Sequence, residues 1–362
     1  MKSLLLAAVV LSFVFIPIAT FAQNSIPLTT KQWWHARYPQ PAAPNPDAKK
    51  MPLISVHGNH FVDPQGNTVL FRGMSIADPD KIEGEGHWNK DFFVHVQQTG
   101  AHLIRIPVHP IAWRTRTPER YLTLLDQAIT WCTDLGMYVD IDWHSIGNLK
   151  DGLFQDPMYE TSSQETFEFW RTIANHFAGN NTVAFYELFN EPTSFSNKLG
   201  RVSWSDWKLI NEDLIALIRA YDHEKIPLVA GFDWAYDLTP LRTEPIQAEG
   251  IGYVTHPYPN KRPKPWEPKW EEDFGFAASQ YPIIATEIGY WRRPGVPDDN
   301  YGPSIVNFLE SHGISWLAWC YDPDWGRMFT SWDTFALTDE GEFFSQAMKA
   351  PMPAPAATVE KH

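Results

Sequence analysis

Cysteine is scarce in this chain, with only Cys132 and Cys320 among 362 residues. That excludes a disulfide-dense scaffold and a four-cysteine metal cluster. One bridge remains conceivable, but Cys132 falls in an expected helix and Cys320 follows an expected strand far along the chain. Two free, buried thiols are the favoured expectation. Long apolar runs are missing beyond the first residues, so no later segment is expected to cross a bilayer. Basic charge is in deficit, with 29 Lys and Arg against 43 Asp and Glu. Such a balance argues against nucleic acid and anionic membrane surfaces as partners. No Gly-rich phosphate loop follows the first expected strand, no His-x-His ends it, and no helical His-Glu-x-x-His occurs. Those absences remove the common phosphate-cradling and zinc-hydrolase signatures.

Apolar and aromatic residues are plentiful: 44% of the chain is hydrophobic, 14% aromatic, and 17 residues are Trp. A large core is therefore within reach, and α/β barrels often take this length as one domain. Met1-Lys2-Ser3, an apolar run from Leu4 to Ile18 and Ala19-Thr20-Phe21-Ala22 read as a secretory signal over 1–22. A membrane anchor is the alternative, although the run is short for a span. Residues 23–52, rich in Pro around Tyr38-Pro39-Gln40-Pro41, read as a linker or strap that Trp33 and Trp34 could dock. A folded domain is expected over 53–350 and a frayed tail over 351–362.

Within that domain strand-like runs alternate with helix-like ones. Strands are expected at 69–74, 102–107, 137–142, 183–190, 226–232, 251–256, 282–287 and 314–319. Helices are expected near 89–99, 118–135, 162–178, 203–221, 269–280, 301–312 and 341–349, with none evident from Ala235 to Gly250. In 118–135 Leu122, Leu125, Ile129 and Cys132 mark one face, and Gly136 stops the helix. Eight strands nearly all followed by helices predict an α/β fold, a (β/α)8 TIM barrel. An open doubly wound sheet is the alternative, and it would want the missing phosphate loop.

Two apolar runs break off at carboxylates, in Phe189-Asn190-Glu191-Pro192 and in Ala285-Thr286-Glu287-Ile288. A strand buried on both faces has no inexpensive place for an unpaired charge. The other strand ends carry Arg105, Asp142 and His144, His256 and Tyr258, and Trp319. In a parallel barrel these residues converge on one rim. Glu187 shares a strand side with Phe185, opposite to Asn190, so it points away from the inner face or into a salt bridge.

This set resembles glycoside hydrolase family 5, the cellulase and mannanase family of the 4/7 barrel superfamily, from about Val69 to Trp319. Asn190-Glu191-Pro192 and His256-Pro257-Tyr258 are its most specific parts. The resemblance implies Glu191 as acid/base and Glu287 as nucleophile, with Asn190 on the sugar 2-hydroxyl. It implies that Arg105 and Tyr258 hold the nucleophile ionised, that His144 and His256 complete a hydrogen-bonded floor, and that Trp319 is the platform at the cleavage point. Arg105 is expected to lower the Glu287 carboxyl, and Glu191 to stay protonated through partial burial and the repulsion of Glu287. Trp234, Trp113, Trp143, Trp266, Trp291 and Trp325 are candidates for sugar subsites. The loop Asp151–Asp156 is expected to shape one end of the cleft.

The expectation is a secreted, monomeric, retaining endo-β-glycanase with no cofactor and no resident metal, acting on a β-linked polysaccharide. Endo-β-1,4-glucanase is favoured, and mannan, mixed-linkage glucan and xyloglucan are alternatives on the same site. A metal hydrolase using His144, His256 and Asp142 and a non-catalytic carbohydrate-binding barrel are the readings from other classes.

Overall fold

Each barrel strand is short and largely buried, and most residues in them are apolar, as a sheet covered on both faces requires. The strands are Arg72–Ile76 (β1), Leu103–Val108 (β2), Tyr138–Trp143 (β3), Val183–Glu187 (β4), Ile226–Ala230 (β5), Gly252–Val254 (β6), Ile283–Ile288 (β7) and Ser315–Tyr321 (β8). They pair in parallel in chain order and β8 pairs with β1, giving a closed eight-stranded barrel. The computed structural model describes residues 30–36, 49–193, 199–290 and 300–351. The expected signal segment, most of the Pro-rich stretch, Trp291 and residues 352–362 lie outside them.

The helix Pro118–Leu135 starts with Pro at its first position and closes on Gly136 in the left-handed conformation, as its sequence requires. Pro79–Gly84 and Pro110–Arg116 add two short helices that the periodicity did not reveal. Between β5 and β6 only the 3-10 turn Thr239–Arg242 and a four-residue turn after β5 stand. Cys132 and Cys320 are both free and buried.

The barrel lumen is filled in two layers. Phe61, from an antiparallel hairpin of Ser55–His57 and His60–Val62 beneath the barrel, meets Phe71, Leu103, Phe185, Val254, Ile284 and Leu317 in an apolar plug. Phe185 packs edge-on against both Phe61 and Phe71, with ring centroids 5.0 and 5.3 Å away. The larger apolar cluster lies between the strands and the helices. Above the plug, two residues further along the strands, the lumen turns polar.

One turn of the N-terminal segment, Thr30–His35, docks on the outer helices through Trp33. Its ring packs edge-on to Trp113 at 5.5 Å, and its Nε1 donates to Glu165 Oε1 at 3.0 Å. Trp33 is only 8% exposed. W33A is expected to lower the unfolding free energy by about 3 kcal/mol, read from urea denaturation. W33F keeps the packing, loses the hydrogen bond and is expected to cost about 1 kcal/mol.

Candidate active site

Alternation along each strand decides what the upper layer contains. Leu103 sits in the plug and Arg105 above it, and the same step relates Phe185 to Glu187, Val254 to His256, Ile284 to Thr286 and Leu317 to Trp319. Glu287 would then face outward, but the pairing of β7 with β8 shifts register between Ala285 and Ile288. Such an irregularity re-aims a side chain, and both Thr286 and Glu287 reach the lumen. Glu191 is placed differently. The loop after β3 forms a small sheet in which Ile146 pairs with Glu191 and Gly147 with Pro192. The Glu191 amide donates to Ser145 O at 3.0 Å, and that of Asn190 to Trp143 O at 3.1 Å. Gly147 is required there, because a Cβ would stand 2.4 Å from Leu153 O.

Arg105 is the centre of the upper layer. Its Nε and Nη2 donate to the two oxygens of Glu187 at 2.8 and 2.9 Å, and its Nη1 to Glu287 Oε1 at 2.9 Å. Nη2 also reaches Asn190 Oδ1 at 2.7 Å and Asp142 Oδ2 at 2.9 Å. Glu187 therefore points into the lumen, in the salt bridge that was one of its two expected places; Phe185, on the same side, faces the plug and not the helices. Tyr258 donates to Glu287 Oε2 at 2.8 Å. His256 Nδ1 meets Glu191 Oε1 at 3.0 Å, and its Nε2 meets Thr286 Oγ1 at 2.9 Å. His144 Nδ1 meets Asp142 Oδ2 at 2.6 Å, and the ring lies parallel to Trp319 at 5.4 Å. One oxygen each of Glu191 and Glu287 and a ring nitrogen of His256 lie within 4.8 Å of one another.

Burial is the largest influence on most of these groups. It opposes the charge on His256, yet Glu287, Glu187 and Glu191 together push the imidazole up to about 9. A protonated imidazole has no lone pair for a cation, so a metal held by this trio would first have to displace that proton. Burial also opposes the charge on Glu187, but Arg105 and His256 push its carboxyl down to about 2. His144 is held well below its ordinary value by burial and by His109, Arg105 and His256, so it is neutral. Burial and the neighbouring Glu187 drive the Asp140 carboxyl well up, and it carries a proton. Glu287 departs from expectation. Its burial and the nearby Glu191 outweigh His256, Arg105 and Tyr258, and the carboxyl is raised. Arg105, shared among three carboxyl groups, lowers this one without offsetting its burial.

The tryptophan candidates divide. Trp113, Trp143 and Trp266 are buried packing residues, not rim platforms. Trp143 follows Asp142, so alternation turns it outward onto Phe169, with ring centroids 4.0 Å apart. Trp113 faces Trp33 and Phe169, and Trp266 packs on Trp270 and Tyr301. Trp319, Trp234 and Trp325 remain half-buried. Trp234 Nε1 donates to Gln155 Oε1 at 2.8 Å, linking the loops after β5 and β3. His109, not anticipated from the sequence, stands 4.5 Å from His144 between ring centroids and is fixed by Asp78 Oδ2 at 2.8 Å. His109 directly after the buried strand β2 was the available signal.

The family model described as cellulase, glycosyl hydrolase family 5, matches residues 62–324. A solved structure of a beta-glucanase from Saccharophagus degradans is 44% identical, covers 87% of this chain and 98% of its own, and superposes with a TM-score of 0.82. The same protein has been solved in complex with cellotetraose, with a TM-score of 0.83 and again 44% identity over 87% of this chain and 98% of that one. Endoglucanase E-5 of Thermobifida fusca is 26% identical over 284 residues, 75% of this chain and 56% of that protein. The chain spans about half the length of the first such curated relatives.

The raised His256 makes stability depend on pH. The folded state binds the imidazole proton more tightly than the unfolded chain, whose ordinary value is 6.5. The stabilisation is complete below pH 6.5 and lost as pH rises through about 9, on the order of 3 kcal/mol. Thermal melts from pH 6 to 10 are expected to show that decline, and H256N to remove most of it.

Proposed function

The chain belongs to glycosyl hydrolase family 5, and from that premise we propose that it is a retaining endo-β-glycanase with β-1,4-glucan as its preferred substrate. The observation that carries the reading is the carboxyl pair: Glu191 and Glu287 bring oxygens within 4.8 Å across a floor of fixed donors. Retaining enzymes hold their carboxyls about 5–5.5 Å apart, whereas inverting ones leave roughly 6.5–9.5 Å for a water. The beta-glucanase solved with cellotetraose and the relatives named endoglucanases support the substrate class. Export through the signal over 1–22 fits a polymeric substrate outside the cell.

In the first half-reaction Glu287 Oε attacks the anomeric carbon while Glu191 gives its proton to the leaving glycosidic oxygen. Arg105 and Tyr258 orient the attacking carboxylate from two sides. Asn190 spends its oxygen on Arg105, and its Nδ2 is buried without a partner among the described residues. That leaves one donor for the sugar 2-hydroxyl, an interaction that strengthens as the oxocarbenium ion develops. Neutral His144, with Nδ1–H given to Asp142, turns its other nitrogen to the sugar as an acceptor. Trp319, its ring parallel to that of His144, offers a flat apolar face to the sugar. In the second half-reaction the ionised Glu191 takes a proton from water, which attacks the anomeric carbon and releases Glu287.

E287A is expected to lose at least about 10⁴-fold in kcat with its circular dichroism unchanged; hydrolysis retained by that variant refutes the assignment. E191A with azide is expected to yield the β-glycosyl azide from an activated aryl glycoside. The acidic limb of kcat/KM is expected above pH 4.5, because Glu287 must be ionised and its carboxyl is raised from that value. Reducing-sugar assays over carboxymethyl cellulose, barley glucan, xyloglucan, glucomannan and mannan decide the substrate. Preference for mannan or xyloglucan overturns the β-1,4-glucan choice and leaves the mechanism standing.

A further inference from the structure

Thr286 stands between two opposite charges that do not touch. His256 Nε2 and Glu187 Oε1 are 3.8 Å apart, and Thr286 Oγ1 lies 2.9 Å from the first and 3.2 Å from the second. All three residues are fully buried. Glu187 only accepts: Arg105 fills both of its oxygens with donated hydrogen bonds, and the carboxyl is held down at about 2. Thr286 must then give its one hydroxyl proton to Glu187, which leaves its lone pairs to accept from Nε2–H of His256. With Nε2–H so engaged and Nδ1 facing Glu191 Oε1 at 3.0 Å, the doubly protonated ring satisfies every partner at once. The donors run outward from His256 in both directions, to Glu191 and through Thr286 to Glu187.

We propose that Thr286 and Glu187 are positioning residues that lock His256 in its doubly protonated form, so that Nδ1–H permanently occupies Oε1 of Glu191 and the catalytic proton travels only on Oε2. The proposal rests on the reading of Glu191 as the acid/base. It gives β7 two adjacent residues with separate tasks: Glu287 meets the sugar, and Thr286 fixes the proton inventory behind it. The charged and titratable groups around His256 are consistent with the lock. Glu187 on β4, Glu191 after it and Glu287 on β7 are acidic; Arg105 on β2 is engaged by carboxylates, and His144 after β3 is neutral. Tyr258, on the loop of His256 itself, donates to Glu287. In a neutral His256, Nδ1 could instead accept a proton from Glu191, and the acid would lose its proton to the wrong partner.

The test is T286V, which removes the hydroxyl at nearly constant volume, beside T286S, which keeps it. T286V is expected to move the alkaline limb of kcat/KM toward acid by about one unit, with T286S close to wild type. NMR titration of the His256 imidazole in the same proteins is expected to show the same shift, and a void alone would not produce it. Hydrolysis of a dinitrophenyl glycoside, whose leaving group needs little acid help, is expected to fall less in T286V than hydrolysis of glucan. E187Q is expected to shift His256 further in the same direction, wherever its near-ultraviolet spectrum shows a native fold. A folded T286V with wild-type alkaline limb and wild-type His256 midpoint overturns the proposal. The titration reads the chain without turnover, so it stands apart from the acid/base reading, which full glucan hydrolysis by E191A would overturn.

Discussion

One guanidinium buried without any water contact holds this site together. Arg105 lies in the lumen, above an aromatic plug and below the cleft, and its donors reach Glu187, Glu287, Asp142 and Asn190. Placing an arginine there is costly unless the geometry is close to ideal and the remaining donors are satisfied. The planar fork suits that demand, since two parallel bonds to Glu187 fix its plane and leave Nη1 aimed at Glu287. Removing either partner of the Arg105–Glu187 pair would strand a charge in the lumen, at roughly 3–5 kcal/mol. The position of the Glu287 carboxyl group is thus a consequence of an ion pair buried beneath it.

The two-layer lumen explains why the arrangement folds reliably. Each strand contributes an apolar residue to the plug and, two positions on, a polar one to the floor, so one alternation rule builds both. The plug supplies ordinary hydrophobic stabilisation. The floor supplies little net stability, because desolvation consumes much of the Coulomb attraction. Asp140 illustrates the cost: burial and the neighbouring Glu187 raise its carboxyl, and it stays neutral. A barrel can hold so many carboxyl groups only because some are protonated and the rest share two cations.

Much of this was legible in the sequence, and the failures have a common cause. All eight barrel strands and the polar residues at their ends can be read from apolar runs and breaks. A strand end gives height in the barrel, however, and parity gives direction. Trp143 has the right height and the wrong parity, and it packs outward on Phe169. Glu187 has the right parity, which was recognisable only once Phe185 was known to face the lumen. Thr286 and Glu287 both enter the lumen because β7 slips its register, and no glycine or proline inside Ile283–Ile288 announces that. Arg105 does lower the Glu287 carboxyl as expected; what strand ends and parity could not show is the burial and the nearby Glu191 that outweigh it.

The fixed cations also explain how one floor can serve two half-reactions. In the proposed double displacement, forming the glycosyl-enzyme removes the charge on Glu287, and departure of the proton creates one on Glu191. The negative charge moves a few ångströms, from a carboxylate touched by Arg105 to one touched by His256, while its total is unchanged. His256 Nδ1 is 3.0 Å from Glu191 Oε1 and 3.8 Å from Glu287 Oε2, so it attracts the charge in both places. Neither cation has to move or change protonation between the steps. Preorganised charge of this kind costs no reorganisation during the reaction. The loops above, including the Trp234–Gln155 link, are free to differ in the glycan they admit because the floor needs nothing from them.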